Sequence, residues 1–215
     1  MKDIHVFTGA HGVATLVLRQ IPWSGCGYVL VRSVWDDAAA FLEECRSFCC
    51  ACGAEAVYAS WENRELPAAH SYDMVCMERE KEGLPPATLV CEPLTQALGE
   101  EYTTVYNTCF RDVPNAVAFT KEDLARVLRE ETAIIVRRDG VVAGLAEVST
   151  KGLEAIAVLP QYKGLGYELA LTALHMVPSK TIALKATSTN HRAIRLYERL
   201  GFKPTALLSR WWKLQ

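Results

Sequence analysis

The sequence predicts an α+β protein, with a mixed β-sheet and helices packed against it. Half of the 215 residues are hydrophobic and 22% are charged, so the chain can bury a sizeable core without disulfide bonds or structural metal sites. Apolar strands alternate with helices along the second half. Asp139-Gly140 separates two apolar runs, which is a strong β-hairpin signal. A net charge of −2 gives no sign of a nucleic-acid partner.

Strand and helix signals follow one another from residue 88 onwards. Thr120 with Asp123 three residues later is typical of a capped helix start, and Gly201 fits a helix end. Strands are predicted at residues 88–91, 133–137, 141–148, 153–159, 181–187 and 207–214. Helices are predicted at residues 94–110, with an interruption near Gly99, and at residues 120–131, 164–176 and 190–200.

A charged segment with one glycine and two prolines, residues 81–86, predicts a domain boundary. It separates a smaller N-terminal α/β domain, residues 1–86, from a second domain, residues 87–215. The first domain has predicted strands at residues 27–32, 54–60 and 72–80 and a helix at residues 36–53. This order resembles that of the stretch from residue 153 to the end, which suggests a related half-domain, although no residue-level repeat is visible.

Eight cysteines, none arranged as two pairs at zinc-ligand spacing, predict buried thiols and no metal site. Cys45 and Cys49 share a predicted helix face with Phe41 and Phe48. No apolar run approaches the ~20 residues that span a membrane, and the start does not read as a signal peptide. We therefore expect a cytoplasmic protein with reduced thiols and no membrane partner. The sequence gives no indication of oligomeric state.

The turn at residues 161–166 reads Gln-Tyr-Lys-Gly-Leu-Gly, between a strand stopped by Pro160 and an apolar helix. A helix start leaves about four N–H groups without partners and carries roughly half a positive charge. Glycines let this backbone curl around a phosphate. The turn lacks the third glycine of the dinucleotide fingerprint and the Gly-Lys-Ser/Thr of the P-loop. It predicts an anion cradle, with an ordinary tight turn as the alternative.

Two motifs in chain order resemble those of the GNAT superfamily of N-acetyltransferases, over roughly residues 87–215. The first, V-x-P-x-x-x-G-x-G with the family's Arg/Gln, is matched by Val158, Pro160, Gln161, Gly164 and Gly166. The second, N-x-x-A-x-x-L-Y-x-x-x-G-F, is matched by Asn190, Ala193, Leu196, Tyr197, Gly201 and Phe202. The resemblance implies a GNAT-like acyltransferase fold, with acetyl-CoA (coenzyme A) as donor and a small-molecule or peptide primary amine as acceptor.

The resemblance also implies roles for individual residues. Asn190 would touch the cofactor arm, and Tyr197 would give a proton to the leaving thiolate, although packing on its helix is the alternative for Tyr197. The pantetheine arm would pair with the backbone of Ile156, Ala157 and Val158. The pyrophosphate would take backbone N–H groups from Gln161, Tyr162, Lys163, Gly164, Leu165, Gly166 and Tyr167.

A general base is less well marked in the sequence. Glu154 and Glu147 are the candidates, and strand alternation predicts that Glu154 shares a face with Ile156 and Val158. An exposed, solvated carboxylate is the alternative for each, and His175 and His191 are further candidates. Three other functions stay open: a non-catalytic CoA-binding or scaffold module, a hydroxyl acceptor, and a longer acyl-CoA donor.

Overall fold

A computed structural model describes residues 5–62 and 64–215 of the chain, which fold as two compact units. The first unit runs to Met74 and adds Leu207–Gln215, and the second comprises Val75–Ala206. These divisions differ from the predicted boundary at residues 81–86. Met77 lies in the core of the second unit, whereas Trp212 and Leu214 lie in that of the first. Residues 1–4 and 63 of the predicted first domain lie outside the described residues.

The first unit is a sheet with one long helix against it. Its strands follow the order β1-β2-β3-β4-β11-β5, and β3 and β4 are parallel. Its core contains Phe41, Val29 and Val57. Its elements are β1 (His5–Thr8), β2 (Gly12–Val17), α1 (Ile21–Ser24), β3 (Cys26–Val34), α2 (Ala38–Ala51), β4 (Ala56–Trp61) and parts of β5 (Ala69–Glu80) and β11 (Lys203–Leu214).

The second unit is a mixed sheet in the order β5-β10-β9-β8-β7-β6, with helices on both faces. β7, β8 and β9 are antiparallel neighbours, and β9 and β10 are parallel. The predicted mixed α+β architecture is confirmed. The remaining elements are β6 (Glu92–Pro93), α3 (Gly99–Phe110), α4 (Lys121–Glu130), β7 (Ala133–Arg138), β8 (Val141–Val148), β9 (Gly152–Val158), α5 (Leu165–Met176), β10 (Thr181–Thr187) and α6 (His191–Arg199).

Local sequence signals account for most of these boundaries. Thr120 and Asp123 form a reciprocal capping box at the start of α4. Asp139 and Gly140 both have positive φ, 52° and 83°, as a tight two-residue hairpin turn requires. The strand predicted at residues 88–91 is wrong, because pairing begins only at Glu92. Residue propensities favour a strand at these positions, but the neighbouring strand β7 pairs only with Glu92 and Pro93 of this segment.

The cysteine prediction is confirmed in part. Cys45 and Cys49 are fully buried beside Phe41 in the first unit, where they pack as small apolar side chains. Phe48 is 42% exposed, so its predicted place on the buried face is wrong. Among the described residues, no helix is long and apolar enough to cross a membrane.

Candidate functional site

The parallel strands β9 and β10 pair only at their beginnings. Gly152 lies opposite Ala183 and Leu153 opposite Leu184, and no later pair joins the two strands within the described part of the second unit. A Cβ on Gly152 would lie 1.8 Å from the Ala183 carbonyl oxygen, so a glycine is needed where the backbones come closest. Beyond the Leu153–Leu184 pair the two strands diverge. The side of β9 that faces β10 is therefore left without a strand partner.

The open edge has a defined set of backbone groups. The Leu159 N–H donates to the Ala143 carbonyl on β8, 2.9 Å away. Because hydrogen bonding alternates along an antiparallel strand, Ala157 directs its backbone groups toward β8, and Ile156 and Val158 direct theirs toward the gap. This divides the predicted three-residue pairing segment. Ile156 and Val158 can bond an arm in the gap, whereas Ala157 is committed to the sheet.

The turn after β9 leads into the start of α5. Gly164 precedes the helix with φ 105°, has no side-chain cap, and would meet no atom within 4 Å of an added Cβ. The first-turn N–H groups of Leu165, Gly166 and Tyr167 have no acceptor within the helix. The N–H of Tyr162 differs, since it donates to the Leu159 carbonyl at 2.9 Å and is not a free donor as predicted.

A cleft of about 590 Å³ joins these features. Its walls come from the open edge of β9, the start of α5, one face of α6 and the end of α3. The predicted residues on its lining are Ile156, Ala157, Val158, Gly164, Gly166, Tyr167, Asn190 and Tyr197. The other predicted turn residues lie off the lining: Gln161 and Lys163 are exposed, Tyr162 is half-buried, and Leu165 packs against the core.

Two cleft residues at α6 were predicted from the sequence: Asn190, which directly precedes the helix, and Tyr197 within it. Asn190 caps the helix, and its Oδ1 accepts the Ala193 N–H at 3.2 Å, which leaves its amide nitrogen for another partner. Tyr197 is 8% exposed and its ring packs edge-on against Phe202. Burial raises the pKa of Tyr197 to about 12, because the phenolate would be poorly solvated. The phenol therefore holds its proton at neutral pH.

Three arginines of α6, which the sequence reasoning missed, also line the cleft. Arg192, Arg195 and Arg199 are exposed and lie on one helix face, at spacings of three and four residues. The Arg199 guanidinium stands 5.0 Å from the centre of the Tyr167 ring at the start of α5. The three- and four-residue spacing was the sequence signal that could have revealed these arginines. Together they form an arginine stripe, which puts positive charge beside a helix start, an arrangement that favours a polyanion.

Glu147 does not line the cleft. It is 5% exposed on β8, and its Oε1 accepts a hydrogen bond from Arg126 of α4 at 2.9 Å. Burial raises the pKa of Glu147 although Arg126 opposes the shift. The carboxylate lies in an ion pair near Tyr102 and Tyr106. Burial raises the pKa values of both phenols, and the charge of Glu147 adds to that shift.

Glu154 corrects the predicted strand alternation. Leu153 pairs with Val148 and Ala155 with Glu147, so Glu154 is the additional residue of a β-bulge. The bulge resets the alternation, and Glu154 does not share the Ile156 and Val158 face. Its charge instead helps to raise the pKa of Glu147 on the side of α3 and α4. Glu154 is exposed, and it too is absent from the cleft lining.

The two histidine alternatives lie away from the cleft lining. His175 is exposed and its Nε2 lies 2.8 Å from the Pro85 carbonyl oxygen. His191 is exposed at the first position of α6. Among the described residues, no group of three or more His, Cys, Asp or Glu side chains could hold a metal ion.

The sequence model of the acetyltransferase (GNAT) family matches residues 92–202, which span the cleft and its supporting strands. The chain belongs to the GNAT acetyltransferase family. Comparison with curated proteins gives no match.

Solved structures show the same fold. A conserved protein of unknown function from Staphylococcus epidermidis has a TM-score of 0.58 at 12% identity, with 99% of this chain and 94% of that chain covered. A GCN5-related N-acetyltransferase from Sphaerobacter thermophilus has a TM-score of 0.57 at 16% identity, covering 94% and 75%. A tandem GNAT protein from the clavulanic acid biosynthesis pathway has a TM-score of 0.52 at 14% identity, covering 99% and 83%. At these identities the likeness concerns the fold alone.

Proposed function

We propose that this protein transfers an acetyl group from acetyl-CoA to a primary amine of a small-molecule or peptide acceptor, by direct attack. The observation that carries the proposal is the gap between β9 and β10, which opens into the cleft with the backbone groups of Ile156 and Val158 free. A gap of this kind suits an extended arm that bonds like a strand. Family membership supports the class of reaction, and the donor and acceptor are part of the proposal.

The surroundings of the cleft fit a phosphate-bearing donor. The N–H groups at the start of α5 would receive the pyrophosphate, since no side chain caps them. Arg192, Arg195 and Arg199 would offset the phosphate charges. The amide nitrogen of Asn190 would bond the arm. When bound, acetyl-CoA supplies the activated acetyl carbon and a thiol leaving group.

Tyr197 would act as the general acid. Its buried phenol is protonated at neutral pH and lines the cleft beside the open strand edge. Thiols have lower pKa values than this phenol, so Tyr197 would assist departure mainly by donating a hydrogen bond as the thiolate forms.

We propose Glu154 as the general base, acting directly or through water, with Glu147 beside it. Glu154 is exposed and can meet an acceptor that arrives from solvent. Glu147 is buried and paired with Arg126, which makes it the weaker candidate. The α3–α4 face also carries Tyr106 and Phe110, whose ring centroids lie 4.4 Å apart with the planes tilted by 30°, and these rings would form an apolar boundary for the acceptor.

A non-catalytic CoA-binding module is the alternative function. One observation favours it: no carboxylate or histidine lines the cleft within residues 5–62 and 64–215. An amine acceptor needs a proton acceptor near neutral pH. If neither Glu154 nor a water chain reaches the amine, the cleft would hold the donor without turnover.

The test combines calorimetry with acetyl-CoA and thiol release over a panel of amines. We expect binding in the micromolar range and turnover with at least one amine. Tyr197→Phe should lower kcat by about 100-fold and leave KM for acetyl-CoA within about three-fold, because general acids contribute mainly to the transition state. Tyr72→Phe, which removes a buried unpartnered hydroxyl of the first unit, is the matched control. Binding without turnover on any amine would favour the alternative, and absence of binding would refute both.

We also propose that the first unit is a degenerate GNAT half. It repeats the hairpin, strand, helix and parallel strand of the second unit, and a structural neighbour is described as a tandem GNAT protein. A cytoplasmic location is a further proposal and rests on the eight free cysteines, since reducing compartments keep thiols unpaired. Neither a nucleic acid nor a membrane is proposed as a partner.

A further inference from the structure

The cleft contains a cysteine that the proposed transfer reaction does not use. Cys109 lies in the last turn of α3 and lines the cleft with Asn190 and Tyr197. It is half-buried and free of any disulfide. A thiol is therefore present on the wall of the cleft in which the arm of the donor would end.

A second group on the same cleft lining, the hydroxyl of Tyr197, indicates a ligand. Tyr197 is 8% exposed, and among the described residues its hydroxyl makes no hydrogen bond to the protein. Since Tyr197 lines the cleft, a ligand atom in the cleft can supply the missing partner. Cys109 lines the same cavity as this unsatisfied hydroxyl.

The raised pKa of Cys109 makes its reaction with a disulfide depend on whether that disulfide first binds in the cleft. Burial raises the pKa of Cys109, and the nearby Arg192 only partly opposes this. A thiol with little thiolate reacts slowly with a disulfide free in solution. Cys50 and Cys52 are exposed, so they should react first if exposure alone decides. A disulfide held in the cleft would reverse that order, because binding raises its effective concentration at Cys109.

We propose that Cys109 is a site of thiol–disulfide exchange with the disulfide of coenzyme A, and that the adduct blocks the cleft. The proposal rests on the donor site proposed above. Cys109 loses its proton to solvent, and its Sγ attacks one sulfur of the CoA disulfide. The S–S bond breaks, a Cys109–CoA disulfide forms, and the second CoA leaves as a thiolate that takes up a proton. One disulfide is consumed and one is formed, so no other oxidant is needed.

The experiment treats the 215-residue protein with CoA disulfide in slight excess and follows the adduct by peptide mapping. We expect one CoA per chain on the peptide that contains Cys109, at an initial rate at least about 10-fold above those of Cys50 and Cys52, since an effective concentration in the millimolar range exceeds that of the free reagent. Acetyl-CoA, which has no free thiol, should protect Cys109. Dithiothreitol should remove the adduct.

Two variants and a second reagent test delivery by the cleft. Cys109→Ser should abolish the main adduct, whereas Cys91→Ser should retain it, because Cys91 is also half-buried but lies off the cleft lining. Gly164→Asp should slow labelling of Cys109 and leave Cys50 unchanged. Glutathione disulfide, which lacks the nucleotide, should show no preference for Cys109.

Three outcomes would overturn the inference. If calorimetry shows that CoA binds but Cys109 stays unmodified, the inference fails and the donor site stands. If glutathione disulfide labels Cys109 as fast as CoA disulfide does, the cleft does not deliver the reagent and the inference also fails. If CoA and its disulfide do not bind, both the inference and the proposed donor site fail.

Discussion

The two units contain the same strand–helix–strand connection, β3–α2–β4 in the first and β9–α5–β10 in the second, and differ at the point where a donor would bind. β3 and β4 pair in parallel at six positions, from Cys26–Ala56 to Val31–Trp61. β9 and β10 pair at only two. The connection therefore creates a gap only where the second strand diverges.

The helix starts differ in the same sense. In the first unit Asp37 caps α2, and its side chain accepts the Ala40 N–H at 3.0 Å. Asp36 stands beside it, 2.7 Å from His11. In the second unit Gly164 leaves the start of α5 uncapped. A carboxylate already occupies the position that a phosphate would take in the first unit, so shared topology alone does not make a donor site.

The largest expected effect comes from placing a carboxylate at the start of α5, as Asp37 already does at the start of α2. Gly164→Asp should weaken acetyl-CoA binding by about 100-fold or more, because φ 105° strains a side chain and a carboxylate repels the phosphates. Gly83→Asp is the matched control, as Gly83 also has positive φ and open space but lies off the cleft lining. Calorimetry measures the difference. Equal affinities for wild type and Gly164→Asp would contradict the comparison, as would two donor molecules bound per chain.

The arginine stripe should give the next largest effect. Arg195→Gln or Arg199→Gln should weaken acetyl-CoA binding by about five-fold at low salt, and by less at 0.5 M salt, because screening shortens the range of charge interactions. Arg129→Gln, an exposed arginine of α4 off the cleft lining, is the control. A loss that does not change with salt would show that the stripe acts by packing and not by charge.

Removing the cap of the first helix should affect stability alone. Asp37→Ala should lower the free energy of unfolding by about 1 kcal/mol, because it leaves the Ala40 N–H without its partner. Asp37→Ser should restore most of the loss, since serine also caps well. Urea unfolding measures both variants. Acetyl-CoA affinity should be unchanged, and a change would show that the first helix start contributes to the donor site.

The smallest expected effect is on the pH profile. Tyr197 must keep its proton to act as an acid, and its pKa is raised to about 12, so raising the pH to 10 should not remove that function. We expect kcat to show no descending limb from Tyr197 between pH 7 and 10. A limb with a midpoint below 10 that disappears in Tyr197→Phe would contradict the assigned burial of the phenol.

Features that depend on a few neighbouring residues could be predicted from the sequence. The Asp139-Gly140 turn, the Thr120 capping box and the glycine at the start of α5 each follow from local backbone preferences. The spacing of Asn190 and Tyr197 on one helix was also legible. These signals were sufficient for the fold class and for half of the residues that line the cleft.

The tertiary structure alone decided where the chemistry-bearing groups meet. The divergence of β9 from β10, the bulge at Glu154 and the entry of Cys109 from α3 into the cleft all depend on residues far apart in the sequence. The division of the units inside β5 and β11 is of the same kind. Local propensity fixes dihedral angles over a few residues, whereas strand divergence is set by packing between distant elements. The sequence by itself therefore determined most of the elements of the second unit and the glycine turn before α5. The packing of distant elements determined the gap, the place of the three arginines and the thiol beside them.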